Sequence, residues 1–485
     1  MERAVVQTSQ GALRGATKEN GMLFGAIPYA APPVGGLRYR APVPGPRWEG
    51  VRDASEQGRP LPRPARQLPG LLSEPLLGGR EVRDPELTLN VWTPDPGASG
   101  LPVLVWLHGG AFIAGSPDLY DGSAWMRDGV VLVTVGYRLG VEGFVHFQGG
   151  DANVALRDQL AALEWVQREI GAFGGDPGRV CLGGQSAGAM SLGWLLGSER
   201  SRGLFQRAIS MSGGVELTYS PEQAARVAAA LAERVGVEPT ATAMSEVPIA
   251  SVIAAQEAIA PGEIELETDE DRDPTGGMVW VAPVRDGDVV AEDPLAAIGR
   301  GAHVDLLIGD TSEEGLLYLA GAPGFDDFPA EALDAFAARL SPDPAGLLAL
   351  LRAAEPGASA GRLAAQAISE RAFHAPTRAL RERHASLEDR ATYGYRFAWP
   401  SPALGGRLGA AHAIDVPFVF DAVQAPQYAG ADDRVLGASG GPQVLADRIH
   451  GAWVRFLESG EPGWPEHPAA EVFTSAVEAA AHGAG

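Results

Sequence analysis

The fold of this chain is decided by the stretch Arg179-Val180-Cys181-Leu182-Gly183-Gly184-Gln185-Ser186-Ala187-Gly188-Ala189-Met190-Ser191. A short apolar strand runs here into Gly-x-Ser-x-Gly, and the small-residue start of a helix follows. A turn this tight leaves no room for a side chain two residues before or after the serine, whose hydroxyl then stands exposed at the tip. The stretch therefore predicts a strand, a sharp turn and a helix, with Ser186 as a nucleophile.

The pattern alone has little weight, because glycine makes up 63 of the 485 residues. Two further matches are centred on Ser359, in an alanine-rich helical region, and on Ser439, in a polar loop. Neither follows a clean strand, which the nucleophile turn requires. We therefore interpret both as loop or helix-end sequence and keep Ser186.

Composition excludes several classes of partner. The formal net charge of −23 argues against nucleic acid and anionic membranes, which would repel the chain, and Lys18 is the only lysine. Cys181 is the only cysteine, so an intrachain disulfide is impossible, and its place in a strand predicts a buried thiol. The longest apolar runs are too short to span a bilayer. We expect a cytoplasmic protein, the alternative being a secreted one whose export signal is missing from this sequence.

The order of apolar runs along the chain is that of an α/β protein. Continuous apolar runs suit strands of a sheet covered by helices on both faces. The predicted buried strands are Val103–Leu107, Val131–Val135, Val180–Gly183, Ala208–Met211, Asp305–Ile308 and Tyr393–Phe397. The predicted helices are Asn153–Ile170, Pro221–Val235, Leu333–Leu340 and Val444–Leu457.

We find no linker long enough to separate independent domains. The sequence predicts one catalytic domain over residues 2–475, with helical excursions at roughly 215–275 and 325–390 and a loose tail over 476–485. The segments Gly35–Trp48 and Leu61–Gly79 are rich in Pro and Gly and are expected to be irregular. The acidic run Glu263–Gly277 is interpreted as a solvated surface loop.

A nucleophilic serine needs a base, an acid that orients the base, and N–H donors for the developing oxyanion. The donors are predicted where the strand Val103–Leu107 runs into His108-Gly109-Gly110-Ala111-Phe112. A His-Gly-Gly turn directly after a strand leaves backbone N–H groups free to point into a cleft, as in lipases and esterases. The alternative is a tight turn with no such role.

The acid and the base should follow later strands. Three carboxylates crowd the turn after Asp305–Ile308, namely Asp310, Glu313 and Glu314, and the pattern alone does not choose among them. Six histidines follow: His374, His384, His412, His450, His467 and His482. His412 stands in a small-residue loop before the apolar segment Val416–Phe420, a setting that can hold a histidine at the sheet edge, and His467 and His482 belong to a loose tail. We expect His384 to be solvated on a charged helix, and His450 to be a surface or packing residue.

Motifs along nearly the whole chain now make a resemblance specific. They are Gly25-Ala26-Ile27-Pro28-Tyr29-Ala30, Pro32-Pro33-Val34-Gly35, Leu89-Asn90-Val91-Trp92-Thr93-Pro94, Tyr137-Arg138-Leu139-Gly140, Asp158-Gln159, Phe173-Gly174-Gly175-Asp176-Pro177 and Leu204-Phe205-Gln206-Arg207-Ala208-Ile209. With the serine turn, this set resembles the type-B carboxylesterase family, in particular its bacterial para-nitrobenzyl-esterase-like members. The resemblance implies an α/β-hydrolase fold, with a mostly parallel central sheet flanked by helices and with helical cap excursions.

The same resemblance assigns roles. It implies Ser186 as nucleophile, Glu314 as acid and His412 as base. It also implies an oxyanion hole formed by the N–H groups of Gly110, Ala111 and Ala187.

Two departures from the family pattern stand out. The family usually has glutamate before the nucleophile, where this chain has Gln185, so attraction for cationic esters should be weaker. The family's Ser-Glu-Asp-Cys-Leu stretch is here Arg83-Asp84-Pro85-Glu86-Leu87, which lacks the cysteine of the animal relatives' disulfide.

These features predict a serine carboxylic-ester hydrolase that forms a covalent acyl-enzyme and needs neither a metal nor a cofactor. An apolar cleft near Phe112 would suit short-to-medium acyl chains or aromatic acids, and Gln185 would border it. The partner is a small-molecule ester, and a monomer is favoured. The alternative is a catalytically inactive binding protein on the same fold. A Ser-x-x-Lys hydrolase is excluded because no serine stands three residues before Lys18, and His-Glu-x-x-His and phosphate-loop motifs are absent.

Overall fold

Alternating apolar residues of the central strands pack into two separate cores, one on each face of a sheet. In this computed structural model, which describes residues 4–260 and 262–474, the strand β7 (Leu101–Leu107) directs Val103 and Val105 into one core and Leu104 and Trp106 into the other. Both faces are therefore covered, which explains why the strand is apolar at every position. Cys181 lies in the second core, and burial raises the pKa of its thiol, as expected for an unreactive cysteine.

Thirteen strands are present in the described part of the chain. They are β1 (Val5–Gln7), β2 (Ala12–Arg14), β3 (Ala16–Lys18), β4 (Gly21–Pro28), β5 (Val51–Asp53), β6 (Thr88–Thr93), β7, β8 (Val131–Val135), β9 (Gly175–Gln185), β10 (Arg207–Met211), β11 (Asp305–Thr311), β12 (Thr392–Phe397) and β13 (Ala470–Phe473). Ten of them form one sheet in the order β13-β12-β11-β10-β9-β7-β8-β6-β4-β3, and β1, β2 and β5 form a small second sheet.

The large sheet is parallel from β13 to β8 and antiparallel from β8 to β3. All six strands predicted from apolar runs are confirmed within longer or equal strands. The antiparallel strands β3, β4 and β6 were missed by that criterion. Parallel strands end at one edge of the sheet, so the loops after β7, β9, β10 and β11 meet there.

Helices cover both faces of the sheet. Their bounds are α1 (Glu74–Leu77), α2 (Ser123–Arg127), α3 (Gly140–Phe144), α4 (Val154–Glu169), α5 (Ala187–Gly197), α6 (Pro221–Val235), α7 (Ala241–Ser245), α8 (Ile249–Glu257), α9 (Pro294–Ala297), α10 (Leu316–Leu319), α11 (Ala330–Leu340), α12 (Pro344–Ala354), α13 (Ala360–Ile368), α14 (Ala375–Ala385), α15 (Val416–Val419) and α16 (Gln443–Ser459). Shorter 3-10 segments are Gly35–Leu37, Pro117–Leu119, Ile170–Phe173, Glu199–Ser201 and Ala403–Gly406, and Ser369–His374 is a π-helix. All four predicted helices are confirmed.

The predicted excursions coincide in position with two groups of helices, α6 to α8 and α11 to α14. The single-domain boundaries stay a prediction, and the tail over 476–485 lies outside the described residues. No helix within residues 4–260 and 262–474 is both long enough and apolar enough to cross a membrane.

The turn between β9 and α5 brings backbone against backbone. A Cβ atom on Gly188 would lie 2.0 Å from the carbonyl oxygen of Leu107, and one on Gly184 would lie 2.5 Å from the carbonyl carbon of Gly188. Glycine at both positions is therefore a steric requirement of the strand–turn–helix joint, as the Gly-x-Ser-x-Gly pattern predicts.

We expect Gly188→Ala to lower the free energy of unfolding by roughly 3 kcal/mol, because the new methyl group must push apart β7 and α5. Denaturant unfolding measures the loss. Gly171→Ala is the matched control, since nothing lies within 4 Å of a Cβ at that position. Equal stabilities of the two variants would contradict the argument.

Candidate active site

Ser186 stands at the tip of the turn between β9 and α5 in a strained backbone conformation. Its φ is 56° and its ψ is −123°, in a region that non-glycine residues rarely adopt. Its N–H donates to the carbonyl oxygen of Met211 at 2.9 Å, which holds the turn against the end of β10. Strain of this kind persists where surrounding structure enforces it, and it is concentrated at functional sites.

The turn after β7 lies beside this serine. Gly110, Ala111 and Phe112 have φ values of 125°, 52° and 65°, so three successive residues adopt left-handed conformations. The N–H groups of Gly110, Ala111 and Ala187 donate to no acceptor among the described residues. They are therefore free to donate to a bound ligand.

His108 supports this turn from behind. Its ring stacks on Tyr137 at 4.4 Å between centroids, and its Nδ1 lies 2.8 Å from the carbonyl oxygen of Gly109. Burial lowers the pKa of His108 to about 4, so the ring is neutral near pH 7. A neutral ring that donates from Nδ1 fixes the carbonyl, and so the direction of the adjoining N–H groups.

The three carboxylates after β11 have three different partners. Asp310 forms a two-bond ion pair with Arg396, at 2.8 and 3.0 Å. Glu313 pairs with Arg362 and accepts the N–H of Ala410 at 2.7 Å.

The third carboxylate, Glu314, faces a histidine. Its Oε2 lies 2.5 Å from Nδ1 of His412, and both side chains are buried. The structure therefore brings Glu314, and neither of its neighbours, to the candidate base.

The Glu314 carboxylate is held by more than the histidine. Its Oε1 accepts the hydroxyl of Ser212 at 2.7 Å and the N–H of Thr311 at 2.8 Å. Burial opposes its ionisation, but the His412 ring, the charge of His374 and these hydrogen bonds together hold the pKa of Glu314 below its usual value. Ser212, which sequence reasoning missed, follows β10 directly, and a polar residue at the carboxyl end of a parallel strand was the available signal.

Aromatic rings fix the orientation of His412. Phe373 packs against its ring at 4.3 Å between centroids, and Tyr318 lies at 5.9 Å. Phe373 belongs to the π-helix Ser369–His374, a geometry that often occurs at functional sites. No sequence pattern had indicated either aromatic residue.

The amide of Gln185 faces the other nitrogen of the base. Its Nε2 lies 3.0 Å from Nε2 of His412. Because Nδ1 donates to Glu314, Nε2 of the neutral ring is an acceptor, and the amide is its donor. The Ser186 hydroxyl forms no hydrogen bond with any described residue in this arrangement. Ser186 and His412 nevertheless line one cavity, and such bonds commonly tighten only when substrate binds.

Two cavities meet at Ser186. The smaller, of about 50 Å³, is bordered by Gln185 and His412. The larger, of about 360 Å³, is bordered by Phe112, which packs on Trp194 and Phe144. The structure thus places both predicted pocket residues beside Ser186, one in each cavity.

Two serines and two histidines that the sequence also offered as candidates lie away from Ser186 or serve the packing of the fold, and His482 lies outside the described residues. Ser359 caps the N-terminus of α13 through a bond from the N–H of Arg362, and Ser439 lies in an exposed loop. The expectation that His384 is solvated was wrong, because it is buried between Thr392 and the carbonyl oxygen of Val304. His450 is a packing residue, bonded to the carbonyl oxygen of Val419.

A further buried carboxylate, Asp415, lies near the candidate acid. Burial and the charge of Glu314 raise the pKa of Asp415 to about 7, although the Tyr395 hydroxyl donates to its Oδ2 at 3.2 Å and opposes the shift. Its Oδ1 has no hydrogen-bond partner within the described residues. Of the three buried acids in this region, Glu314 is balanced by His412, Asp310 by Arg396 and Asp415 by its own proton.

We expect Asp415→Asn to remove part of the pH dependence of stability. The folded protein binds a proton at Asp415 that the unfolded chain releases above about pH 4, so the free energy of unfolding should fall between about pH 4 and pH 7, by roughly 4 kcal/mol at most. Asparagine resembles the neutral acid and does not titrate. Denaturant unfolding at about pH 5 and pH 8 measures the change.

Asp334→Asn on the exposed side of α11 is the control for this comparison. A fall between the two pH values that is equally large in Asp415→Asn and in the unchanged protein would contradict the account.

Comparison with known proteins identifies the family of the chain. The model of the carboxylesterase family matches residues 2–478. The chain is 34% identical to para-nitrobenzyl esterase of Bacillus subtilis (strain 168), over 96% of this chain and 93% of that protein. It is 32% identical to phenmedipham hydrolase of Pseudarthrobacter oxydans, over 96% and 92%.

The solved structure of a Geobacillus stearothermophilus carboxylesterase at pH 6.2 superposes with a TM-score of 0.82 at 32% identity, covering 97% of this chain and 96% of that one. The likeness confirms the predicted α/β-hydrolase fold, and nothing in these comparisons supports an inactive binding protein. The chain belongs to the carboxylesterase family and is a carboxylic ester hydrolase that acts on small-molecule esters.

Proposed function

We propose that hydrolysis proceeds through a triad of Ser186, His412 and Glu314 and a covalent acyl-enzyme. The observation that carries the proposal is the 2.5 Å contact between Glu314 Oε2 and His412 Nδ1, in a histidine that lines the same cavity as Ser186. This contact fixes the tautomer in which Nε2 can accept a proton. The charged carboxylate then stabilises the ring when it becomes positive.

The steps follow from these roles. The Ser186 oxygen attacks the ester carbonyl carbon while His412 takes the hydroxyl proton, and the carbonyl oxygen becomes an oxyanion. The free N–H groups of Gly110, Ala111 and Ala187 are the proposed donors to that oxygen. Collapse breaks the ester bond, and His412 returns the proton to the leaving alcohol. Water then attacks the acyl-enzyme by the same route and releases the acid.

The two cavities divide the ester between them. His412 borders the smaller cavity and not the larger one, and the leaving oxygen must reach its Nε2. We therefore assign the alcohol to the smaller cavity and the acyl group to the larger one. Most of the larger cavity's lining is apolar, with Phe112, Met190 and Leu217 among its walls, and about 360 Å³ fits short-to-medium aliphatic or aromatic acyl groups.

The setting of the enzyme is also a proposal. A net charge of −23 supports an enzyme without nucleic-acid or membrane partners, and we propose that it acts as a monomer. One buried, unpaired cysteine supports a cytoplasmic enzyme, because exported proteins more often rely on disulfides.

Labelling with an organophosphate should place the phosphoryl group on Ser186, as read by peptide mapping. Ser186→Ala should lose at least about 10⁴-fold in turnover of a para-nitrophenyl ester and take up no label, because no other group can form the acyl-enzyme. Ser359→Ala and Ser439→Ala are matched controls that keep activity. Label on Ser359 or Ser439 would refute the assignment.

Gln185→Glu should move the acidic limb of the pH profile of kcat/KM to higher pH, by roughly one unit. A carboxylate beside Nε2 of His412 favours the protonated ring, which cannot act as a base. Gln185→Met, uncharged and of similar length, should leave the limb in place. A limb that does not move in Gln185→Glu would mean that position 185 does not act on the base.

A further inference from the structure

An unpaired guanidinium stands at the junction of the two cavities. Arg66 borders both of them, beside Ser186. Its Nη1 is buried, and Arg66 forms no hydrogen bond or ion pair with any described residue. The guanidiniums of Arg38 and Arg138, which are buried, pair instead with Glu142 and Asp158 at 2.7 and 2.6 Å.

A half-buried cation that has a buried, unpartnered N–H group and no counter-charge is costly to the fold. Burial lowers the pKa of Arg66, but an arginine keeps its proton near pH 7. Its cost is removed when an anion enters the cavity and accepts its N–H groups. Because Arg66 lies beside the nucleophile, that anion would be part of the substrate.

The rest of the lining agrees with an anionic guest. Among described residues, neither cavity is bordered by an aspartate or a glutamate. The position before the nucleophile, where the family usually has an acid, is the neutral Gln185. Arg339 adds a second cation at the larger cavity, where its Nη2 donates to the carbonyl oxygen of Gly276 at 3.2 Å. The cleft is thus positive in a chain whose net charge is −23.

Tyr318 supplies a neutral donor beside the cation. Its ring borders both cavities and lies parallel to Phe373, at 6.2 Å between centroids. Burial raises the pKa of Tyr318 and Arg66 opposes the rise, so the phenol keeps its proton and remains a donor. A guanidinium and a phenol together match the two oxygens of a carboxylate.

We propose that the preferred substrates are esters that carry a free carboxylate, which Arg66 binds while Ser186 attacks the ester group. Half-esters of dicarboxylic acids carry this charge on the acyl arm. Hydroxy acids that are acylated at their hydroxyl group carry it on the alcohol arm. The larger cavity and Arg339 favour the acyl arm. The inference rests on the proposed function, since it names the substrate class of the same site.

Two pairs of substrates test the proposal with the full-length enzyme. Monoethyl adipate is compared with ethyl hexanoate for the acyl arm, and 5-(butanoyloxy)pentanoate with pentyl butanoate for the alcohol arm. Acid release at constant pH gives kcat/KM for each. We expect at least one anionic ester to exceed its neutral partner by roughly 10-fold or more, and the pair that does so identifies the arm.

Variants then assign the preference to one side chain. Arg66→Gln should lower kcat/KM for the preferred anionic ester by roughly 10- to 100-fold and change that for its neutral partner by less than about 3-fold. Arg66→Lys keeps a charge without the planar fork, so its kcat/KM for the anionic ester should lie between those of the unchanged enzyme and of Arg66→Gln. Arg59→Gln, at an exposed position, changes the net charge equally and should alter neither value.

Adipate alone should inhibit hydrolysis of ethyl hexanoate competitively, and its inhibition constant should rise in Arg66→Gln. An unchanged enzyme that prefers both neutral esters overturns the proposal without any variant. Equal losses on the anionic and neutral esters in Arg66→Gln also overturn it, because they indicate a structural role. Loss of all activity in Ser186→Ala would leave the proposed function intact in either case.

Discussion

The joint between β9 and α5 constrains everything else in the active site. Its backbone contacts leave no space for a side chain at Gly184 or Gly188, and its geometry forces Ser186 into a left-handed conformation. The bond from the Ser186 N–H to Met211 ties the joint to the neighbouring strand. Ser186, the turn after β7 with the proposed oxyanion donors, and Glu314 after β11 therefore share one sheet edge, and their relative positions are set by the strands.

Each of the three buried acids at that edge of the sheet is neutralised in a different way. In the proposed triad Glu314 must remain ionised to orient and stabilise His412, yet it lies close to two other buried acids. An arginine neutralises Asp310, and Asp415 holds its proton to about pH 7. On the other side of His412 the sign of the charge is the opposite. Gln185 stands where the family usually has an acid, and Arg66 has no counter-charge. The site is thus acidic behind His412, whereas the two cavities beside Ser186 are bordered by arginine and by no acid among the described residues.

The sequence predicted the elements with strong local signals. Gly-x-Ser-x-Gly and His-Gly-Gly are local because each describes one turn, and apolar runs identify strands buried on both faces. The choice among Asp310, Glu313 and Glu314 was not local: it depends on Arg396 and Arg362, which approach only in the fold.

The wrong expectation for His384 and the missed Arg66 have the same cause, because both depend on contacts that form only in the fold. His384 belongs to a helix of charged residues, but its own face is covered by β12. Arg66 comes from a Pro- and Gly-rich segment without periodicity, so no pattern could place its side chain beside the nucleophile.

Because Lys18 is the only lysine and lies on β3, at the sheet edge farthest in strand order from β13, a reagent that attacks primary amines meets a single side chain in the folded enzyme. Coupling to a solid support through that amine would attach the enzyme at the end of the sheet opposite β13 and leave the arginines of the two cavities unmodified.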